Sequence, residues 1–108
     1  MLSRTLAMRL KVNALVCRAI QERRILRVYY DGGLRSVEPH CHGCSKDGND
    51  LLRGYQVGGY SSSGEPVGWK MFRLDRTSGL TMTEATFAGP RPEYDPHDNR
   101  MTTVYCCL

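Results

Sequence analysis

The stretch ILRVYYDGGLRSVEPH, residues 25–40, decides how the chain folds. Leu26, Val28 and Tyr30 alternate with Arg27 and Tyr29, the two-residue period of a half-buried strand. Asp31-Gly32-Gly33 follows at once, and Asp-Gly behind an alternating run signals a tight β-hairpin. LRSVEPH (34–40) is the returning strand. Pro39 has no N–H to give a ladder, so pairing is expected to end or shift there.

Upstream, Leu15, Val16, Ala19 and Ile20 recur at one-turn spacing between residues 14 and 24, with Arg18 and Gln21 on the other side. That pattern predicts one short amphipathic helix, with Asn13 as its N-cap and Arg23 leaving the core. Residues 1–13 read as an arm or strand, because Leu6, Met8, Leu10 and Val12 are spaced two apart. Downstream, Lys46-Asp47-Gly48-Asn49 marks a second turn and DLLRGYQV (50–57) the next strand. GGYSSSGEP (58–66) is too rich in Gly and Ser for a regular element and reads as a flexible loop. In VGWKMFRL (67–74), Lys70, Phe72 and Leu74 face one way and Trp69, Met71 and Arg73 the other. A short strand is expected near 80–82, an irregular Pro-rich connection over 88–100, and a strand in MTTVYCC (101–107). The fold class is therefore mostly β with one N-terminal helix (α+β), arranged as a small antiparallel barrel. The domain proper spans 14–87, and 88–108 form the Pro-rich connection and C-terminal strand.

A chain of 108 residues holds one domain. Its 15 Lys+Arg against 11 Asp+Glu leave a net charge of +4, and twelve of the cations are Arg, whose planar fork suits phosphate and carboxylate. An anionic partner is favoured over an acidic-protein role. No run of eighteen apolar residues exists, so no membrane helix is expected. Arg4, Arg9 and Lys11 interrupt the N-terminus where a signal peptide needs an unbroken apolar stretch, which predicts a cytoplasmic protein. In that compartment the five cysteines, Cys17, Cys41, Cys44, Cys106 and Cys107, are expected to be mostly buried thiols.

The order AIQERRILRVYYDG, LRSVEP, LLRGY, FRLDR resembles the WYL domain, over about residues 14–82. Arg35 and Pro39 match the family's R-x-x-x-P stretch, Leu52-Arg53-Gly54-Tyr55 the strand of the name motif, and Phe72-Arg73-Leu74-Asp75-Arg76 the next strand. Asp50-Leu51-Leu52 stands where the family has Trp-Tyr-Leu, keeping only the Leu. The resemblance implies an Sm/SH3-like small barrel, a bacterial ligand-sensing module that usually follows a helix-turn-helix in transcriptional regulators. No helix-turn-helix precedes it here, so it implies a stand-alone sensor with regulatory output through another protein.

The candidate site is Arg35, Arg53, Arg73 and Arg76 with Tyr55 and Trp69. Arginines on one face of neighbouring strands, roughly 5 Å apart, can converge on one phosphate, and Tyr55 or Trp69 can stack a base. The expected ligand is single-stranded nucleic acid or a nucleotide second messenger. The same arginines could instead pair with Glu38, Asp75 and Glu84 on a solvated face. A protein–protein interaction module, pairing along a strand edge with a regulatory protein or a second copy, is the alternative function. The 58–64 loop could cradle an anion, although it lacks the Lys-Ser/Thr ending of a P-loop and fits a hairpin connection better. His40-Cys41-His42-Gly43-Cys44 has zinc-knuckle spacing, yet Cys106 and Cys107 are adjacent and point to opposite faces of a strand, so no metal is expected. No cofactor and no catalytic motif is read, so the chain is not expected to be an enzyme.

Overall fold

A computed structural model describes residues 12–108. The reading of residues 1–13 as an arm therefore falls, except for Val12 and Asn13, outside the described residues. The elements are α1 (Ala14–Glu22), β1 (Arg24–Tyr30), β2 (Gly33–Cys44), β3 (Asp50–Gly59), β4 (Gly68–Arg73), a 3-10 turn (Leu74–Arg76), β5 (Thr77–Thr86) and β6 (Thr103–Cys107). Among the described residues the protein is mostly β with one helix, and six strands form one antiparallel sheet in the order β4-β3-β2-β1-β5, with β6 paired to β2. β4 and β5 end the path without pairing with each other, so the sheet stays open.

Local chemistry explains the first half. The Val16 N–H donates to Asn13 Oδ1 at 3.0 Å, giving α1 its N-cap. Arg23 closes the helix in the left-handed region at φ 53°, where its N–H reaches back to helix carbonyls. Asp31 at φ 48° and Gly32 at φ 101° make the hairpin turn, and a turn with two positive φ angles, of the type I′ kind, follows the strand twist. Val16, Ala19 and Ile20 of α1 pack on Leu26, Val28, Val37, Leu52 and Phe72. This is the inner side of the sheet.

Three expectations are corrected. β2 does not end at His40 but runs to Cys44, and its pairing shifts at the proline as expected, through a bulge between Pro39 and Cys41. A Cβ at Gly54, the partner of Pro39, would overlap Val37, so only glycine admits the two backbones this closely. The strand expected near 80–82 is ten residues long, because β1 supplies a pairing partner along Thr77–Thr86. Four of the five cysteines are disulfide-bonded, Cys17 to Cys106 and Cys41 to Cys107, leaving Cys44 free. The reason is strand parity. Adjacent Cys106 and Cys107 point to opposite sides of β6, one meeting the helix and the other β2.

Candidate functional site

β3 and β4 lie in register, Tyr55 beside Trp69, Arg53 beside Met71 and Leu51 beside Arg73. Alternation sends Arg53, Tyr55, Trp69 and Arg73 to the side away from α1, while Leu52 and Phe72 enter the core. Four of the six candidate residues thus share the outer face. Arg76 sits exposed on the 3-10 turn. Arg35 has the opposite parity on β2 and is buried at 5% exposure among Tyr30, Tyr60 and Phe72.

The outer face is not bare. Residues 88–100 cross it as a strap, and each contact engages a candidate residue or its neighbour. Arg53 Nε donates to Asp98 Oδ2 at 2.7 Å, and Trp69 Nε1 donates to the Pro92 carbonyl at 3.0 Å. The Tyr94 ring stacks on Trp69 at 6.1 Å and 19°, and the Arg91 guanidinium lies 4.6 Å from the Tyr55 ring centre. Arg91 also donates twice to the buried Glu38 carboxylate, at 2.7 and 2.9 Å. That bidentate pair raises the Arg91 pKa. Burial pushes the Asp98 carboxyl up, but the Arg100 backbone N–H and Arg53 more than offset it, holding it below the usual carboxylate range.

The His40–Cys44 string has a different use from metal binding. The bulge lets β2 send His40 to the strap side and His42 to the helix side, and the two rings work alike. His40 Nε2 accepts from the Arg91 N–H at 3.1 Å while Nδ1 faces the Glu38 carbonyl at 2.8 Å. His42 Nε2 accepts from the Asn13 N–H at 3.0 Å while Nδ1 faces the Leu51 carbonyl at 2.8 Å. These partners assign the proton to Nδ1 in both and require a neutral ring. Burial lowers both pKa values, and the carbonyl bonds only partly oppose it.

Three cavities flank the strap; the largest, about 630 Å³, lies along Glu38, Phe87 and residues 88–92, and the other two adjoin the candidate residues. The first, about 320 Å³, is lined by Arg53, Trp69, Glu93, Asp95, His97, Asp98 and Asn99. Three carboxylates beside a single arginine make it hostile to an anion. The second, about 460 Å³, is lined by Lys46, Arg73 and Arg100 with Asp47 as its one carboxylate. Leu51 and Met71 give it an apolar floor, and Ser45, Asn49 and Thr102 add hydrogen-bonding groups. Arg73 also grips Asp75 through two bonds of 3.1 and 2.7 Å, which lower the Asp75 pKa, but Asp75 is well exposed. Water weakens such a surface pair, so Arg73 can turn to a better anion at small expense.

The sequence reading missed Lys46 and Arg100 at this cavity and the strap residues Arg91, Tyr94 and Asp98. An arginine and a tyrosine inside a Pro-rich connection were the only local hint. No family model, curated protein or solved structure matches the chain.

Proposed function

We propose that the protein is a WYL-like ligand-binding domain that takes an anionic, nucleotide-type ligand at the outer cavity, with a regulatory role. The observation that carries this reading is the cavity of about 460 Å³ with Lys46, Arg73 and Arg100 around an apolar floor. Three cations against one carboxylate attract phosphate, and Leu51 and Met71 offer a surface to a base or sugar. Arg53, Tyr55 and Trp69 lie on the adjoining face, separated from the cavity by Asn99, which lines both pockets. Arg73 is the principal anchor, Arg100 and Lys46 support it, and Arg76 lies at the edge.

Single-stranded oligonucleotides and cyclic or linear oligoadenylates are the ligands to titrate, at low and moderate salt. Trp69, the only tryptophan, reports by fluorescence. Arg73→Ala is expected to weaken binding by about 1–3 kcal/mol and to flatten the salt slope by about one ion. No saturable binding at low salt, or binding indifferent to Arg73→Ala and Arg100→Ala, sinks the reading. The interaction-module reading has its own support in β5, a ten-residue strand that among the described residues pairs along β1 alone. Strand addition there would survive salt that strips a phosphate ligand.

A further inference from the structure

The opposite face holds a second pair of cations that this reading does not use. Arg35 is 95% buried by its 5% residual exposure, and its Nη2 is the only buried side-chain nitrogen or oxygen among the described residues with no hydrogen-bond partner. Its other contacts are neutral: Nε donates to the Tyr30 carbonyl at 3.1 Å and Nη1 to Gln56 Oε1 at 3.5 Å. Aromatic rings of Tyr30, Tyr60 and Phe72 surround the guanidinium at 5.3 to 5.9 Å. No carboxylate compensates the charge, a condition that strongly disfavours the closed state unless something anionic visits it. Lys70, on the same inward parity of β4, is likewise satisfied by neutral oxygens alone, Ser61 Oγ at 3.4 Å and the Glu65 carbonyl at 2.7 Å.

One loop covers both. Tyr60 lies over Arg35, while Ser61 and Glu65 hold Lys70. The loop is fastened by three bonds: the Tyr60 N–H to the Leu34 carbonyl at 2.9 Å, the Gln56 amide to the Tyr60 carbonyl at 2.8 Å, and Ser62 Oγ to the Asp31 carboxylate at 3.1 Å. Gly59 at φ 98° and Gly64 at φ 82° bracket it, two positions where the backbone adopts angles that other residues resist.

We infer that Arg35, Lys70 and the serine-rich 60–65 loop form a closed binding site for a tetrahedral oxyanion of the phosphate class, with Tyr60 as its cover. The orphan Nη2 and the ammonium supply charge, and Ser61 and Ser63 supply hydroxyl donors from the loop side. Displacing Tyr60 and releasing Lys70 from Glu65 exchanges neutral partners for a charged one. The site lies on the inner side, so it stands independently of the outer cavity.

The test is an amide NMR titration with inorganic phosphate at constant ionic strength, with phenyl phosphate in a parallel arm to separate a free ion from a phosphomonoester. Saturating shifts are expected at residues 58–66, with a Kd on the order of 1 mM, the range of a small ligand held by a few charged contacts. Lys70→Gln, which leaves the core untouched, is expected to raise Kd about tenfold, and Arg35→Gln to abolish saturation. Arg73→Ala should leave these shifts unchanged. Absence of saturation in the wild type, an unaltered Kd in Lys70→Gln, or shifts confined to the Lys46–Arg100 cavity overturns the proposal. The last result would leave the outer site standing, whereas loss of oligonucleotide binding alone would leave this one.

Discussion

The two faces of the sheet carry coats of opposite character. On the inner side α1 packs chiefly over β1, β2, β5 and β6, and the core of Val16, Ala19, Ile20, Leu26, Val28, Val37, Leu52 and Phe72 is held by aliphatic and aromatic contacts, with Arg35 and His42 as buried polar residues on the same side. On the outer side the strap 88–100 is held by Glu38, His40, Arg53 and Trp69 through directional bonds. Apolar burial is non-directional and scales with area, so the inner coat tolerates small shifts. Hydrogen bonds and ion pairs demand geometry and contribute little net free energy each, so the outer coat is the one that can open. The difference teaches where stability resides and where exchange with a ligand can occur.

The largest expected effect tests the inner coat. Phe72 is 1% exposed and meets Tyr30 edge-on at 5.1 Å, so Phe72→Ala should lower unfolding free energy by about 3–5 kcal/mol. Denaturant melts measure it. A midpoint close to wild type would break the assignment of β4's inward face.

Acid tests whether both coats share a fastening. Burial holds the folded pKa values of His40 and His42 below the ordinary histidine value of 6.5, so the unfolded chain binds protons more readily than the folded one. Their contribution to stability is complete well above pH 6.5, begins to fall as pH drops through that value, and continues to fall towards the folded pKa. The charged and titratable groups around His40 are Glu38, Arg91 and Tyr94, and those around His42 are Asp50 and Tyr105. Burial, with help from Cys44 and Asp50, pushes Tyr105 up to about 12, so it stays neutral throughout. Hydrogen exchange at pH 7 and pH 5 should show protection lost at the Arg91 and Asn13 amides together. Loss at Arg91 alone would mean that the helix side is held by packing and not by His42.

The smallest effect isolates the strap. Asp98→Asn removes the charge of one largely buried ion pair, for about 1–2 kcal/mol of stability, and leaves Arg53 free to meet an anion. A shift in Trp69 emission with little change in the melt is the expected signature. A stability loss as large as that of Phe72→Ala would erase the contrast between the two coats.

What residues nearby in sequence could settle was legible. Asn13 caps α1, Asp31-Gly32 turns the hairpin, and Lys70-Phe72 against Trp69-Met71-Arg73 divides the faces of β4, because caps, turns and alternation act over a few residues. The mostly β fold with one helix followed from those pieces. The site was legible only in part. Arg53, Tyr55, Trp69 and Arg73 share a face by parity, but the bulge after Pro39 and the partner of Arg53, 45 residues away, have no local signature.

The sequence alone therefore determined the helix, the hairpin turn and most of the apolar inward residues, since each depends on backbone preference and hydrophobic period, while the lengths of β2 and β5 depended on their partners. Only the tertiary structure decided that Arg35 is buried without a carboxylate, that Arg53 is occupied by Asp98, and that Cys106 and Cys107 bond to different layers. These pairings join segments brought together by chain closure, and one cation among twelve arginines carries no mark in its own neighbourhood of which distant group it will meet.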